Sequence, residues 1–252
     1  MKEKVVVEIC CGSYYDARQA VLGGASRIEL NSALWMGGLT PTTAVMRMIR
    51  KDFPQLQVIA MVRPRGAGFC YNREEISVMQ EEAEELLKAG ADGIAFGYLK
   101  EDRSINVADT LTMVSLIKSY GKEAVFHRAF DCLENWEKGI QILIEAGVDR
   151  VLTSGLSKTA LSGMETLEEL QNSYGNKIEI LAGGGICAAN VVPLLKKTGV
   201  RQIHSSCKAW LPDCTTKGKE VSYGYAGPEK EEMYDVVSKT LVRELINATI
   251  SF

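Results

Sequence analysis

The sequence predicts an α/β fold, a closed (β/α)8 TIM barrel, on three observations. Four segments repeat one pattern, a helix-like stretch ending at Gly followed by a short apolar run: GGASRIEL (Gly23–Leu30), AGADGIAFG (Ala89–Gly97), AGVDRVLTSG (Ala146–Gly155) and TGVRQIHSS (Thr198–Ser206). The Gly suits a left-handed helix cap, and the apolar run has the length of a buried strand. Four further strand candidates, VVVEIC, QVIAMVRPR, EAVFHRAF and IEILAGGG, alternate with these copies and bring the count to eight units. Finally, the chain has 252 residues, close to the roughly 250 typical of such barrels. An open doubly wound sheet is the competing architecture, but no G-x-G-x-x-G follows the first strand.

Taken in order, the first strand is Val5–Cys10, with Ser13 as N-cap of the helix that follows. The second strand is Arg27–Leu30, and the loop NSALWMGGLTPTT leads to a helix over about Thr43–Lys51. The third strand, Gln57–Arg63, precedes the clearest helix, REEISVMQEEAEELLKAG. Its Ile76, Met79, Ala83, Leu86 and Leu87 share one face opposite an acidic one. Strands then fall at Gly93–Phe96, Ala124–Arg128, Arg150–Thr153, Ile178–Ala182 and Gln202–His204. The helices between them cover about Val107–Tyr120, Trp136–Ala146, Thr166–Ser173 and Asn190–Lys197. The Gly/Tyr/Lys-rich stretch 211–228 is expected to be a loop or flexible arm, and 229–248 a helix closing the barrel. No linker or composition shift divides 1–252, so a single domain is expected.

A net charge of −3 without a basic block argues against nucleic acid as a partner. No apolar run is long enough to span a bilayer, and MKEKVVVEICCG enters a strand directly rather than a signal peptide. Seven Cys, an odd number without a CxxC pair, fit reduced thiols in the cytoplasm. With His127 and His204 the only histidines, a site of three imidazoles from one chain is excluded.

In a barrel the chemistry sits at the C-terminal ends of the strands, and these ends are unusually polar. Glu8 and Cys10 share one face of the first strand; Glu29 and Asn31 share one face of the second; Arg63 and Arg65 share one face after the third. Buried charges demand partners, so these residues form either an ion-pair layer or the floor of a polar ligand pocket. Arg63 and Arg65 can clamp an acidic group, and Arg63 can stabilise an enolate. Glu8, Glu29 and His127 are the candidates for moving a proton, His127 because imidazole titrates near neutrality. Asp131, four residues beyond His127, can orient it or bind a cation. The run Gly183–Gly184–Gly185 after the seventh strand, with Ser205 and Ser206 after the eighth, suits an anion cradle of backbone N–H groups. No Lys stands at a strand end, which argues against a Schiff-base aldolase. Cys10 and Cys207, on strands that become neighbours on closure, form the best soft metal pair, and the alternative is that both are buried as small apolar groups.

The motifs VEIC, GGASRIEL, GGLTP, MVRPRGAGF, FGYL, FHRAFD, RVLTSG, AGGGI and IHSS, spread from about Val5 to Cys207, resemble the CutC family, named for copper homeostasis. The resemblance implies a cytosolic TIM barrel, often a homo-oligomer, that binds Cu(I) through Cys in some members. The family's first Cys falls on Cys10; its second, in R-I-E-L-C, falls on Asn31. The family's acidic residue in R-P-R-G-G-D-F falls on Gly68. Two functions are therefore expected. One is a CutC-like role in copper handling with Cu(I) at Cys10; no organic cofactor is evident. The other is an isomerase or lyase acting by acid/base chemistry on a small phosphorylated or carboxylated metabolite, an anionic partner held at the barrel mouth.

Overall fold

The structure, a computed structural model, describes residues 5–250. Eight parallel strands close into a barrel: β1 (Val6–Cys11), β2 (Arg27–Leu30), β3 (Gln57–Met61), β4 (Gly93–Phe96), β5 (Glu123–Phe126), β6 (Arg150–Thr153), β7 (Glu179–Gly183) and β8 (Gln202–Ser205). They pair in chain order, and β8 returns to β1 with Glu8 opposite His204. This is the (β/α)8 architecture that the Gly-ended repeats predict.

Seven helices connect or flank these strands: α1 (Tyr14–Gly23), α2 (Thr43–Asp52), α3 (Arg73–Lys88), α4 (Val107–Ser119), α5 (Trp136–Glu145), α6 (Met164–Tyr174) and α7 (Val191–Thr198). Their ends follow local chemistry. Ser13 Oγ accepts the Asp16 N–H at the start of α1, as its position before an amphipathic run predicts. Asn72 and Glu75 form a reciprocal capping box on α3. Outward strand residues such as Ile9, Cys11, Ile28 and Ile203 pack against the helices in one apolar shell. Inside the barrel Ile59, Met61, Ala95 and Val125 form a separate small cluster. Most of the remaining interior is polar.

The C-terminal region departs from expectation. β9 (Lys208–Pro212) and β10 (Met233–Val237) form an antiparallel ribbon, and the final helix α8 (Lys239–Ile250) begins only after it. The first part of the expected closing helix 229–248 is thus a short 3-10 turn and a strand. MYDVV is β-favouring and buries only its last two residues, Val236 and Val237. The start of the expected arm 211–228 belongs to β9. Beyond it the chain folds back so that Tyr225 stacks on Trp35 at 5.8 Å. Among the described residues no helix is long and apolar enough to cross a membrane.

Buried Asp16 ties this ribbon to the barrel. Its Oδ1 accepts the Val237 N–H at 2.8 Å, and its Oδ2 accepts the Gly12 N–H at 2.9 Å. Asp16→Ala strands two amides, and we expect a loss of about 3 kcal/mol in urea unfolding; a loss within experimental error would show that the ribbon is held by packing alone.

Candidate functional site

Period-two alternation along the strands builds the barrel interior in layers. At the N-terminal end Arg27 Nε meets Glu8 Oε2 at 2.8 Å and Arg27 Nη2 donates to Gln202 Oε1 at 2.6 Å. Arg150, also buried, bridges Glu123 at 3.0 Å and Glu179 at 2.6 Å. This is the ion-pair layer, and it claims Glu8. Burial alone would raise the Glu8 pKa, but the Arg27 guanidinium and His204 outweigh it and hold it at about 2. Glu8 is therefore a fixed carboxylate and does not line the cavity above it. The expectation that it moves a proton is corrected: alternation places Glu8 one layer deeper than Cys10.

Above this layer a cavity of about 110 Å³ opens at the C-terminal ends of the strands. Its polar lining is Cys10, Glu29, Arg63, His127, Arg128 and His204; Met61, Phe69 and Leu152 supply apolar wall. His204 Nδ1 lies 2.9 Å from Glu8 Oε1. Burial would lower the His204 pKa, but the neighbouring Glu29, Cys10 and Glu8 raise it well above its ordinary value, which favours the protonated ring. Burial raises the Glu29 pKa, with Glu8 adding to it and His204 opposing. Asn31 Nδ2 donates to Glu29 Oε1 at 2.9 Å and to Cys10 Sγ at 3.5 Å. Burial likewise raises the Cys10 thiol.

His127 has the opposite character. Its Nδ1 accepts the Ala129 N–H at 3.2 Å, which leaves the ring proton on Nε2. Burial and the nearby Arg63 charge lower its pKa to about 3. His127 is thus a neutral hydrogen-bond donor rather than the titrating acid/base expected of it. Arg63 is anchored by carbonyls: Nη1 to Met36 and Gly38, Nη2 to Ala67 at 2.6 Å, with Phe69 beneath the guanidinium at 5.1 Å. Three buried side-chain atoms around this cavity lack any partner: Glu29 Oε2, Arg63 Nε and His127 Nε2.

Other expected residues lie elsewhere. Arg65 pairs with Glu75 at the start of α3 and stacks on Tyr71, because Pro64 and the turn after it carry the chain out of the barrel. Ser205 points outward and donates to Ile186 O at 2.6 Å; Ser206 is exposed. Gly183 packs on Leu152 and His204, where a Cβ would clash, while Gly184 and Gly185 take positive φ beside Ser154 and Thr159. None of these residues lines the cavity. Asp131 does not reach His127. It accepts from Thr153 Oγ1, from Ser154 N and Oγ, and from Leu156 N, so it shapes the loop after β6. His204, a polar residue at the end of the last strand, is not among the residues that the sequence singles out as catalytic. Alternation applied to QIHS would have turned it inward, in register with Glu8.

A CutC family profile matches residues 5–209. The chain belongs to the CutC family. A CutC family protein of Treponema denticola is 38% identical over 247 residues, 98% of this chain and 99% of that one. A CutC family protein of Vibrio cholerae is 37% identical over 209 residues, 83% of this chain and 82% of its own length. A solved structure from Streptococcus agalactiae, named as the copper homeostasis protein CutC, aligns with a TM-score of 0.76 at 28% identity over 80% of this chain and 98% of that one. The CutC profile thus ends within β9, before β10 and α8.

The copper implied by the CutC name can be tested against the donors present. Ligand atoms of Cys10, Glu29 and His204 lie within 4.8 Å of one another. Only one is sulfur, whereas Cu(I) favours soft thiolates. Asn31, standing at the family's second cysteine, directs an N–H at that sulfur and at Glu29. Cys207, the expected soft partner, lies in the outer apolar shell with Cys11, because the chain leaves β8 there. The residues do not fit Cu(I), and no step through it is derived.

A histidine that stays neutral when folded but protonates when unfolded weakens the fold in acid. Stability should fall as pH drops below the ordinary 6.5, until the folded value of about 3 is reached. Over this window the unfolding free energy of wild type should fall about 1.4 kcal/mol per pH unit more steeply than that of His127→Asn. Parallel slopes in denaturant titrations would contradict the neutral assignment.

Proposed function

We propose that the barrel mouth is a catalytic pocket that moves a proton on a small carbonyl-bearing metabolite, with the chemistry of an isomerase or lyase. The observation that carries this reading is that Glu29, Arg63 and His127 all line one cavity and that each has a buried side-chain atom without a hydrogen-bond partner: Glu29 Oε2, Arg63 Nε and His127 Nε2. An unsatisfied buried polar atom is costly, and three of them around one space are reasonably explained by a ligand that satisfies them. Two are donors and suit a carbonyl oxygen gaining negative charge. The third, a carboxyl group whose pKa burial raises, suits transfer of the adjacent C–H proton.

In this scheme Glu29 removes the proton α to the carbonyl. The developing enolate oxygen accepts hydrogen bonds from His127 and Arg63. A neutral imidazole is the better partner here, since it polarises the carbonyl without protonating it. The acidic end of the metabolite would lie toward Arg128, which donates to Ser154 Oγ at 2.7 Å and pairs with Asp131 at 2.8 Å, so the metabolite would share this cation with Asp131. The Gly184–Gly185 turn borders the same serine and remains the candidate cradle for a phosphate. The cytoplasm and a self-associating state are part of this proposal, drawn from the family resemblance.

The test is a thermal-shift screen of small phosphorylated and carboxylated aldehydes and ketones. At least one should raise the Tm of wild type by several degrees and leave Arg63→Ala unmoved. Glu29→Gln should still bind that compound but slow exchange of its α-hydrogen with solvent deuterium at least about 100-fold. Equal shifts in wild type and Arg63→Ala, or unchanged exchange in Glu29→Gln, would refute the scheme.

A further inference from the structure

The proton-transfer scheme leaves Cys10 and His204 without a task, although both line the cavity and both are tied into one buried network. The Cys10 sulfur lies 4.0 Å from Glu29 Oε1 and 3.5 Å from Asn31 Nδ2. A ring nitrogen of His204 lies within 4.8 Å of the Cys10 sulfur, and Glu8 Oε1 lies 2.9 Å from His204 Nδ1. Across the same cavity stand the two unpartnered donors of Arg63 and His127. A thiol, a carboxylate beside it, an oriented imidazolium and a pair of oxyanion donors are the parts of a covalent site.

We propose that Cys10 is a nucleophile that adds reversibly to the carbonyl carbon of a small aldehyde, with Glu29 taking the thiol proton and His127 and Arg63 receiving the oxygen. This rests on the catalytic reading above for its carbonyl ligand and narrows that ligand to aldehydes; the adduct has no C=O, so α-proton transfer takes place only on the free aldehyde released from it. The step balances within the site. The S–H proton passes to the Glu29 carboxylate as the S–C bond forms. The C=O π pair moves onto oxygen, which then takes the proton back from Glu29. Thiol and aldehyde thus become a neutral thiohemiacetal, with no oxidant and no leaving group. The His204 imidazolium and the Asn31 N–H steady the sulfur while it carries charge. The dry surroundings that disfavour a standing thiolate do not penalise the neutral adduct, so the burial of Cys10 favours capture by addition over ionisation at rest.

The experiment uses the full chain with the exposed Cys70, Cys132, Cys187 and Cys214 replaced by serine. Iodoacetamide labelling is followed by peptide fragmentation mass spectrometry, which separates Cys10 from Cys11. In labelling, the S–C bond forms, iodide leaves and the thiol proton again passes to Glu29. Cys10 should react at least about tenfold faster than buried Cys11 and Cys207. Glycolaldehyde should protect it reversibly, and Glu29→Gln should slow it about tenfold with an unchanged circular dichroism spectrum. Labelling of Cys10 no faster than Cys11, or no protection by glycolaldehyde in the otherwise wild-type site, overturns the proposal. Cys10→Ser separates the two readings: a metabolite shift and α-hydrogen exchange that survive in this variant remove the nucleophile and leave the proton-transfer scheme standing, whereas absence of any shift in wild type removes both.

Discussion

The Glu8 carboxylate is the interaction on which the interior depends. β1 is the strand where the barrel closes, with β2 on one side and β8 on the other. Glu8 reaches both neighbours, to Arg27 of β2 and to His204 of β8. A buried carboxylate without partners would be protonated or would destabilise the fold. Here it is ionised because Arg27 and His204 flank it, and His204 is in turn favoured as a cation by Glu29, Cys10 and Glu8 together. The seam of the barrel and the charge state of its mouth are therefore one arrangement. The layer below, with Arg27, Gln202 and Arg150 satisfied in turn, isolates this pair from solvent at the N-terminal end.

The two histidines show how neighbours rather than residue type set the role. Both are largely buried, and burial pushes both toward the neutral form. His204 faces Glu8, Glu29 and Cys10, and their pull overcomes burial. His127 faces Arg63, whose charge adds to burial, and its Nδ1 is already engaged by the Ala129 amide. Phe69 lies between these effects, 5.0 Å from the His127 ring and 5.1 Å from the Arg63 guanidinium carbon, so it lends an apolar wall to both. The cavity thus has Glu29, Cys10 and His204 on the side of the β1–β2–β8 seam, and on the other the neutral His127 beside the Arg63 guanidinium. A carbonyl compound spanning it would place its oxygen toward the donors and its reacting hydrogen or carbon toward Glu29 and Cys10.

The barrel was legible because its signals are local and repeated: Gly after four of the helices, a short apolar run, and a polar strand end. Glu29, Arg63 and His127 could be singled out because a charged or imidazole residue inside an apolar run must meet something. What stayed hidden depends on depth and on distant partners. Glu8 and Cys10 share a face, but the sequence does not say that two residues of rise separate an ion-pair layer from a cavity wall. Arg63 and Arg65 also share a face by alternation, yet the strand ends at Met61 and Arg65 leaves with the loop. The Gly-rich strand end suggested a cradle, but at Gly183 it is the Leu152 side chain, 2.7 Å from where a Cβ would stand, that fills the space. MYDVV was absorbed into a helix because its partner, Lys208–Pro212, lies across a connection of twenty residues, 213–232, beyond the reach of any local pattern.

That distant ribbon bears on the site through one loop. Residues 34–36 form a short 3-10 turn whose Trp35 stacks on Tyr225 from the far connection, and Tyr225 in turn lies 6.3 Å from Trp210 of β9. The same turn supplies Met36 O, and Gly38 just beyond it supplies a second carbonyl, against which the Arg63 guanidinium is held. Gly37 has positive φ, and a Cβ there would stand 2.9 Å from Arg63 Nη1. The backbone must therefore approach Arg63 closely, in a conformation that glycine adopts without strain. A loop built so tightly needs an external brace, and the aromatic stack provides one from a segment that lies beyond the family match. The C-terminal ribbon is thereby more than an appendage: Asp16 fixes it to the barrel, Tyr225 fixes it to the loop, and the loop fixes the guanidinium of Arg63, which lines the cavity.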